Sequence, residues 1–489
     1  MSDRFVGRGD KVLVAGAGRS GLQAARLVLE LGGRPILVDD DPHAFDGALW
    51  ASVKEEGGRV LEGKRIGPWI GEWAGPVVMS PGIPPVLWSG KAVAPPFPHV
   101  RGELEWAASL WDLPVVAIAG TNGKSTTTAL IAHLLTSFGY SPFLGGNFGT
   151  PFSEGARILR EARKAGKKDP YDVGVIEVSS FQTESMQSFS PNLYLLLNIT
   201  PDHLDRYDSL EQYRQAKLHV VRGFPETTTV LWNAAQKDWE EFLPNIKARS
   251  VFVGGESGLP GPGIVSEEGS LRTQGLENDI RLPTAGYRLI GGGNLQNLAF
   301  SVLASHIFSR QLGRPVSPEA FEKAIASFSG LPHRMEWVDT VRGVSFVNDS
   351  KATNVGAVEA ALSGLPESDH PNVVLIMGGR DKGGSYRPLI PGLKKHVREV
   401  VVLGEAREKI RREIGGEVPL EEAQDFLEAV ARAFSVADPG EMVLLSPACS
   451  SYDMFHGYEE RGEKFREAVR RLAEKFGGKR REDGAEGNA

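Results

Sequence analysis

Residues 120–126 read Gly-Thr-Asn-Gly-Lys-Ser-Thr, a combination suited to holding a polyphosphate. Gly120 and Gly123 let the backbone turn tightly, so that its N–H groups and the positive end of a following helix can face one anion. Lys124 has the reach for the terminal phosphates, and the Ser125 hydroxyl can ligate Mg²⁺. The general form of this loop has a glycine where this chain has Ile118, so Gly-Thr-Asn-Gly-Lys-Ser is a shorter and narrower variant. An apolar strand at 114–119 runs into the loop. The helix that leaves it carries Leu130, Ile131, Leu134, Leu135 and Phe138 on one face and ends at Gly139.

A second nucleotide-binding turn lies near the N-terminus. A strand at 11–15 leads into Gly16-Ala17-Gly18-Arg19-Ser20-Gly21, then a helix closed by Gly32-Gly33, then a strand at 34–38 that ends at Asp39. This is a complete βαβ unit with an acid where a nucleotide-binding acid belongs. Dinucleotides and other nucleotides both use such a turn. A later strand, 77–79, enters Ser80-Pro81-Gly82-Ile83-Pro84, a rigid turn that lines the same pocket.

Further polar groups stand at apolar strand ends. Glu177 sits in the strand 173–178, where a buried carboxylate needs a partner or a metal. It is either the Mg²⁺ partner of the phosphate loop or an edge-strand residue facing water. Thr-Pro-Asp-His-Leu-Asp-Arg-Tyr follows the strand 193–199 and places Asp202, His203 and Asp205 at its end. His203 could ligate metal, orient a phosphate or serve structure alone. Lys217, on a helical stretch at 210–221, reads by pattern as a surface lysine. Three more clusters occur at 348–354 (Asn-Asp-Ser-Lys-Ala-Thr-Asn), 378–383 (Gly-Gly-Arg-Asp-Lys-Gly) and 446–452 (Ser-Pro-Ala-Cys-Ser-Ser-Tyr). Their convergence predicts a site for an anionic small molecule.

The elements that must position these groups form three blocks in 489 residues: 1–113, 114–330 and 331–476. Strands at 344–347, 373–377, 400–403 and 442–445 alternate with helices in the last block, which predicts a parallel sheet covered on both faces. The charged stretch 157–170 reads as a solvated helical insertion, and 254–280 as loops and short strands. Another helix opens at 291–304 and carries Asn294 and Asn297. Gly330-Leu331-Pro332 reads as a hinge, and 477–489 as a disordered tail.

A net charge of −7 gives no general attraction for nucleic acid or an anionic membrane. The single cysteine, Cys449, cannot form an internal disulfide and reads as a small buried residue. Residues 1–10 lack the apolar core of a signal peptide, and no run reaches membrane-span length. A cytoplasmic location is expected.

Gly-Thr-Asn-Gly-Lys-Ser, Glu-Val-Ser-Ser-Phe-Gln, Asp-His-Leu-Asp-Arg-Tyr, Leu-Pro-His-Arg and Asn-Asp-Ser-Lys-Ala-Thr-Asn, in this order, resemble the Mur ligases over about residues 10–475. The resemblance implies an α/β chain of three domains: Rossmann-like, P-loop ATPase-like and Rossmann-like. It implies an ATP- and Mg²⁺-dependent amide ligase, with two ions expected. Ser-Pro-Gly-Ile-Pro and Ser-Lys-Ala-Thr-Asn point to the member that adds D-glutamate to UDP-N-acetylmuramoyl-L-alanine in peptidoglycan synthesis. The first turn then binds UDP, through Arg19, Ser20, Asp39 and Gly82. Asn147 and His203 match positions near the sugar and the reacting carboxylate. Gly120 to Thr126 hold ATP, with Lys124, Ser125 and Glu177 at the ATP–Mg²⁺ site. Asn297, Arg334 and Asp349 match further ATP contacts. Lys351, Thr353, Lys382, Ser451, Tyr452 and Tyr458 match the D-glutamate pocket, although relatives can carry Phe at the position of Tyr458. Lys217 matches a lysine that the family carbamylates, which makes it, with His203, a candidate ligand of the second ion. No nucleic acid or membrane partner is implied.

Overall fold

In a computed structural model of the chain, the described residues are all but 1–4, 62–69, 71–72, 85–98, 201–205, 256–257, 268, 288, 290–291, 366–367 and 478–489. The expected disordered tail and His203, with Asp202 and Asp205, therefore lie outside the described residues. The chain divides into two compact units, residues 1–286 with 296–327, and residues 287–295 with 328–489.

The first unit holds two sheets. One has, among the described residues, the order β3-β2-β1-β4-β5, all parallel, from β1 (Lys11–Ala15), β2 (Arg34–Val38), β3 (Arg59–Val60), β4 (Val77–Met79) and β5 (Val100–Gly102). Residues along β1 alternate between two cores: Val12 and Val14 face one, Leu13 and Ala15 the other. Both faces are covered, which is why the strand reads as a continuous apolar run.

The other sheet starts at β6 (Val115–Ala119), β7 (Pro142–Gly146), β8 (Val173–Glu177) and β9 (Leu193–Leu196). It continues through β10 (Thr229–Asn233), β11 (Arg249–Gly254), β12 (Gly263–Glu267), β13 (Ser270–Gln274) and β14 (Arg281–Pro283). The order is β14-β13-β12-β11-β10-β9-β6-β8-β7, with only β13 running against the others among the described strands. The chain leaves β6 toward β7 and returns across β6 from β8 to β9. This reversal makes a switch point at the C-terminal ends of β6, β8 and β9, where α/β sheets place ligands.

Two helices depart from the pattern read in the sequence. The stretch at 157–170 is not a solvated insertion. It belongs largely to the helix Phe152–Lys164, which buries Phe152, Ala156, Arg157 and Leu159 and packs on the helices Arg19–Glu30 and Glu103–Ser109. Apart from Arg157, its charges lie toward the outer face, where Arg163 pairs with Asp112 and Asp169, and Lys164 with Glu30. The helix Lys124–Ser137 is covered on more than the one expected face, because the helix Pro318–Ser327 packs over it: Phe138 meets Phe321 with ring centroids 4.8 Å apart.

The second unit carries β15 (Glu336–Val341), β16 (Val344–Asn348), β17 (Val373–Gly378), β18 (Val397–Leu403), β19 (Leu420–Glu422) and β20 (Met442–Leu445). Their order is β15-β16-β20-β17-β18-β19, parallel except for β15. Val373, Leu375 and Met377 of β17 enter one core, and Val374 and Ile376 the opposite one. Cys449 is fully buried in the first of these, with the Tyr386 hydroxyl 3.0 Å from its sulfur. Burial pushes its thiol up to about 11.

Candidate active site

The phosphate loop is braced from three sides. Asn198 accepts from the Asn122 N–H at 2.8 Å and donates to the Asn122 carbonyl at 3.0 Å. Thr121 Oγ1 lies 3.0 Å from the Tyr213 hydroxyl. Asn297, on the helix Gly292–Gln311, abuts Gly123 so closely that a Cβ there would overlap its amide; φ at Gly123 is +85°. These contacts fix the loop before any ligand arrives, the condition for electrostatic preorganisation. Lys124 Nζ donates to the Thr121 carbonyl at 2.7 Å, and Thr126 lies on the first turn of the helix.

Glu177 ends β8 and is 3 % exposed, so the edge-strand alternative fails. Its Oε2 accepts from Ser125 Oγ at 2.6 Å, and its Oε1 from Asn147 Nδ2 at 2.7 Å. Asn147 therefore bonds the cradle carboxylate directly. Lys217 corrects the surface reading outright: it is 2 % exposed, and Nζ donates to the Gly120 carbonyl at 2.9 Å. Tyr213 and Lys217 are four residues apart on the helix Leu210–Leu218, so one face delivers both to the loop.

The N-terminal turn lies in the same unit. Asp39 Oδ2 accepts from the Ala17 N–H at 2.6 Å and Oδ1 from the Asp41 N–H at 2.9 Å, so this acid pins the glycine turn. Ser80 Oγ donates to the Gly16 carbonyl at 3.2 Å. A Cβ at Gly21 would overlap that carbonyl oxygen, which accounts for the glycine there. Arg19 and Ser20 open the helix Arg19–Glu30, whose N-cap Gly18 offers no side-chain cap. Gly82 is exposed, and its carbonyl accepts from Arg206 at 3.5 Å. Arg206 is itself held by an ion pair with the buried Glu184 and lies 4.0 Å from the Phe181 ring centroid.

In the second unit the three strand-end clusters do meet. Arg380 and Ser450 exchange backbone hydrogen bonds of 2.9 and 3.2 Å, and the Ala448 N–H donates to the Ala352 carbonyl at 2.9 Å. Lys382 Nζ reaches Thr353 Oγ1 at 3.3 Å, and Lys351 Nζ lies 5.0 Å from the Tyr458 ring centroid. Ser451 is buried, whereas Tyr452 is 64 % exposed. Asp349 accepts from Ser446 Oγ at 2.8 Å and from the Met335 N–H at 3.2 Å. Burial pushes its carboxyl up to about 7, against these hydrogen bonds and the Arg334 charge. Burial likewise lifts the Tyr458 phenol to about 12.

Sequence reasoning passed over Asn198, Tyr213, Arg206 and Arg461. Spacing from Lys217 was the available signal for Tyr213. Arg461 lies three residues beyond Tyr458 on one helix and so shares its face.

Residues 118–305 match the Mur ligase middle domain, and residues 333–449 match the Mur ligase, glutamate ligase domain. A UDP-N-acetylmuramoylalanine--D-glutamate ligase of Salinibacter ruber is 39% identical over 478 residues, covering 95% of this chain and 98% of that protein. The protein of the same name from Geobacter metallireducens is 37% identical over 470 residues, with 95% and 98% covered. Among solved structures, a MurF ligase from Thermotoga maritima in complex with ADP superposes with a TM-score of 0.55 at 16% identity, covering 97% of this chain and 100% of that one. The UDP-N-acetylmuramate-alanine ligase MurC of the same organism gives 0.53 at 17% identity, with 94% and 99% covered. The fold is accordingly α/β with three domains, Rossmann-like at either end and a P-loop sheet in the centre. With both ligase domains matched and nearly its full length aligned, the chain belongs to the Mur ligase family.

Proposed function

We propose that the chain is an ATP-dependent ligase that adds D-glutamate to UDP-N-acetylmuramoyl-L-alanine for peptidoglycan precursor synthesis. The observation that carries this reading is the Lys124, Ser125 and Glu177 cluster, a cation for terminal phosphates beside a buried carboxylate bonded to a hydroxyl. Relatives at 34 to 39% identity named UDP-N-acetylmuramoylalanine--D-glutamate ligase support the choice of substrates.

In this reading residues 1–113 bind UDP, 114–330 bind ATP and 331–476 bind the amino acid, in the cytoplasm. Among the described residues no helix is long and apolar enough to cross a membrane. Ser125 and Glu177 supply hard oxygen donors that fit Mg²⁺. His203 and Lys217 would complete a second position, with Lys217 carbamylated so that a buried ammonium becomes a carboxylate. Mg²⁺ there would offset phosphate charge.

The reaction joins two anions, so charge neutralisation and positioning dominate. A carboxylate oxygen of the muramoyl substrate attacks the γ-phosphorus of ATP, and the bond to ADP breaks. Lys124 and the loop N–H groups hold the transferring group. The D-glutamate nitrogen then attacks the acyl carbon, phosphate leaves with the C–O electron pair, and the amine gives up a proton. Asn297, Arg334 and Asp349 hold ATP, and Lys351, Thr353, Lys382, Ser451, Tyr452 and Tyr458 hold the amino acid.

The test is phosphate release with UDP-N-acetylmuramoyl-L-alanine, ATP and Mg²⁺. D-glutamate, L-glutamate, L-lysine and meso-diaminopimelate are each supplied in turn. Turnover with D-glutamate alone supports the reading; turnover with another amino acid replaces the substrate assignment.

A further inference from the structure

We infer that Arg461 is the positioning residue of the amino-acid pocket, one buried guanidinium that ties the loops at 348–354 and 446–452 together beneath Gly379 of the third. This rests on the reading that those loops bind the amino acid.

Arg461 is 1 % exposed, on the helix Tyr458–Phe476. Its Nε donates to Ser350 Oγ at 3.0 Å and one terminal nitrogen to the Ser350 carbonyl at 2.8 Å. The other terminal nitrogen donates to the Cys449 carbonyl at 3.1 Å. That nitrogen also lies 3.2 Å from where a Cβ on Gly379 would stand. One side chain therefore bonds the loops at 348–354 and 446–452 and fills the space that a side chain at Gly379, in the loop 378–383, would need. Ser350 extends the link by donating to the Tyr458 carbonyl at 2.8 Å.

The partners are neutral. Among the described residues no carboxylate lies within ion-pair distance of Arg461. Burial lowers its pKa only to about 10, so it stays charged near neutrality. A buried cation is costly, and the carboxylate whose charge acts on it, Asp453, is hydrogen-bonded to the Glu405 N–H rather than to the guanidinium. A dicarboxylate amino acid seated on these loops brings a further counter-charge. The planar fork also excludes lysine, which cannot serve three acceptors in fixed directions.

The experiment measures KM for D-glutamate, ATP and the muramoyl substrate, and thermal melting, in four variants. Arg461→Lys keeps the charge and loses the fork; Arg461→Met loses both. Ser350→Ala keeps the arginine and removes an acceptor. Lys382→Ala tests the pocket assignment alone. Arg461→Lys is expected to raise KM for D-glutamate at least tenfold and Arg461→Met further. The other two KM values should stay within twofold in protein that still melts cooperatively. Ser350→Ala should raise KM for D-glutamate at least threefold, and it decides the matter if the Arg461 variants do not fold. If Lys382→Ala raises KM for D-glutamate but Arg461→Lys and Ser350→Ala leave it within twofold of wild type, the inference about Arg461 is overturned. All three KM values rising together would also overturn it, since that marks general loosening. If Lys382→Ala itself leaves KM for D-glutamate unchanged, the pocket reading fails and the inference falls with it.

Discussion

Ser125 Oγ donates to Glu177 Oε2 across 2.6 Å, joining the first residue after the loop lysine to the end of a neighbouring strand. The two oxygens are held together by the pairing of β6 with β8, in which Ile118 sits opposite Glu177. Replacing Glu177 by Gln preserves the shape and removes the charge. The Mg²⁺ concentration for half-maximal activity should rise at least about tenfold, a loss near 1.4 kcal/mol in cation binding. Magnesium titration of the initial rate checks this, and an unchanged half-point would remove Glu177 from the metal site.

Lys124→Ala should lower kcat by about a hundredfold or more, as loss of a main charge-stabilising group does in phosphoryl transfer. Lys124 is only partly buried and its bond runs to a carbonyl of its own loop. Melting should therefore move by no more than a few degrees. Parallel phosphate-release and calorimetry measurements separate the two effects.

For Lys217, the proposed carbamate requires carbon dioxide. Activity should fall in buffer stripped of it and return when bicarbonate is added, while Lys217→Ala shows no such response. A protein that keeps full activity after exhaustive stripping would exclude the modification.

Asp349 gives a pH-dependent stability. Burial raises its folded-state pKa from 3.8 to about 7, so the native state holds the proton more tightly than the unfolded chain does. Stability from this group is intact below about pH 4 and is lost as pH rises through about 7. Asp349→Asn, which does not ionise, should melt near wild type at pH 4 and above it at pH 8, even as ATP binding weakens. Melting curves across this range check the sign, and a gap that widens toward acid would contradict it.

Where a strand is apolar on both faces and bounded on one side by a glycine turn, its limits are legible from residue types alone. Lys11–Ala15, Arg34–Val38 and Met442–Leu445 fall where composition places them. Lys217 was not legible by pattern, because its burial depends on a carbonyl 97 residues earlier that points inward only once the loop has turned. The helix Phe152–Lys164 was obscured because its charged outer half dominates the window, while Phe152 and Ala156 precede it. Arg461 is hidden in the same way, in a run of Glu, Arg and Lys whose sequence gives no sign that one member faces inward. Charged residues are read as solvated, and Lys217 and Arg461 are exceptions because each donates to backbone carbonyls that face inward.

The sealed position of Cys449 has a use beyond structure. A thiol held under Tyr386 with its pKa pushed up to about 11 is screened from alkylating reagents both by access and by protonation. Reaction then waits for the surrounding core to open, so the labelling rate counts opening events of the C-terminal sheet. Since the chain has one cysteine, the native protein carries a single-site chemical clock for the breathing of that domain, readable by mass without any engineered probe.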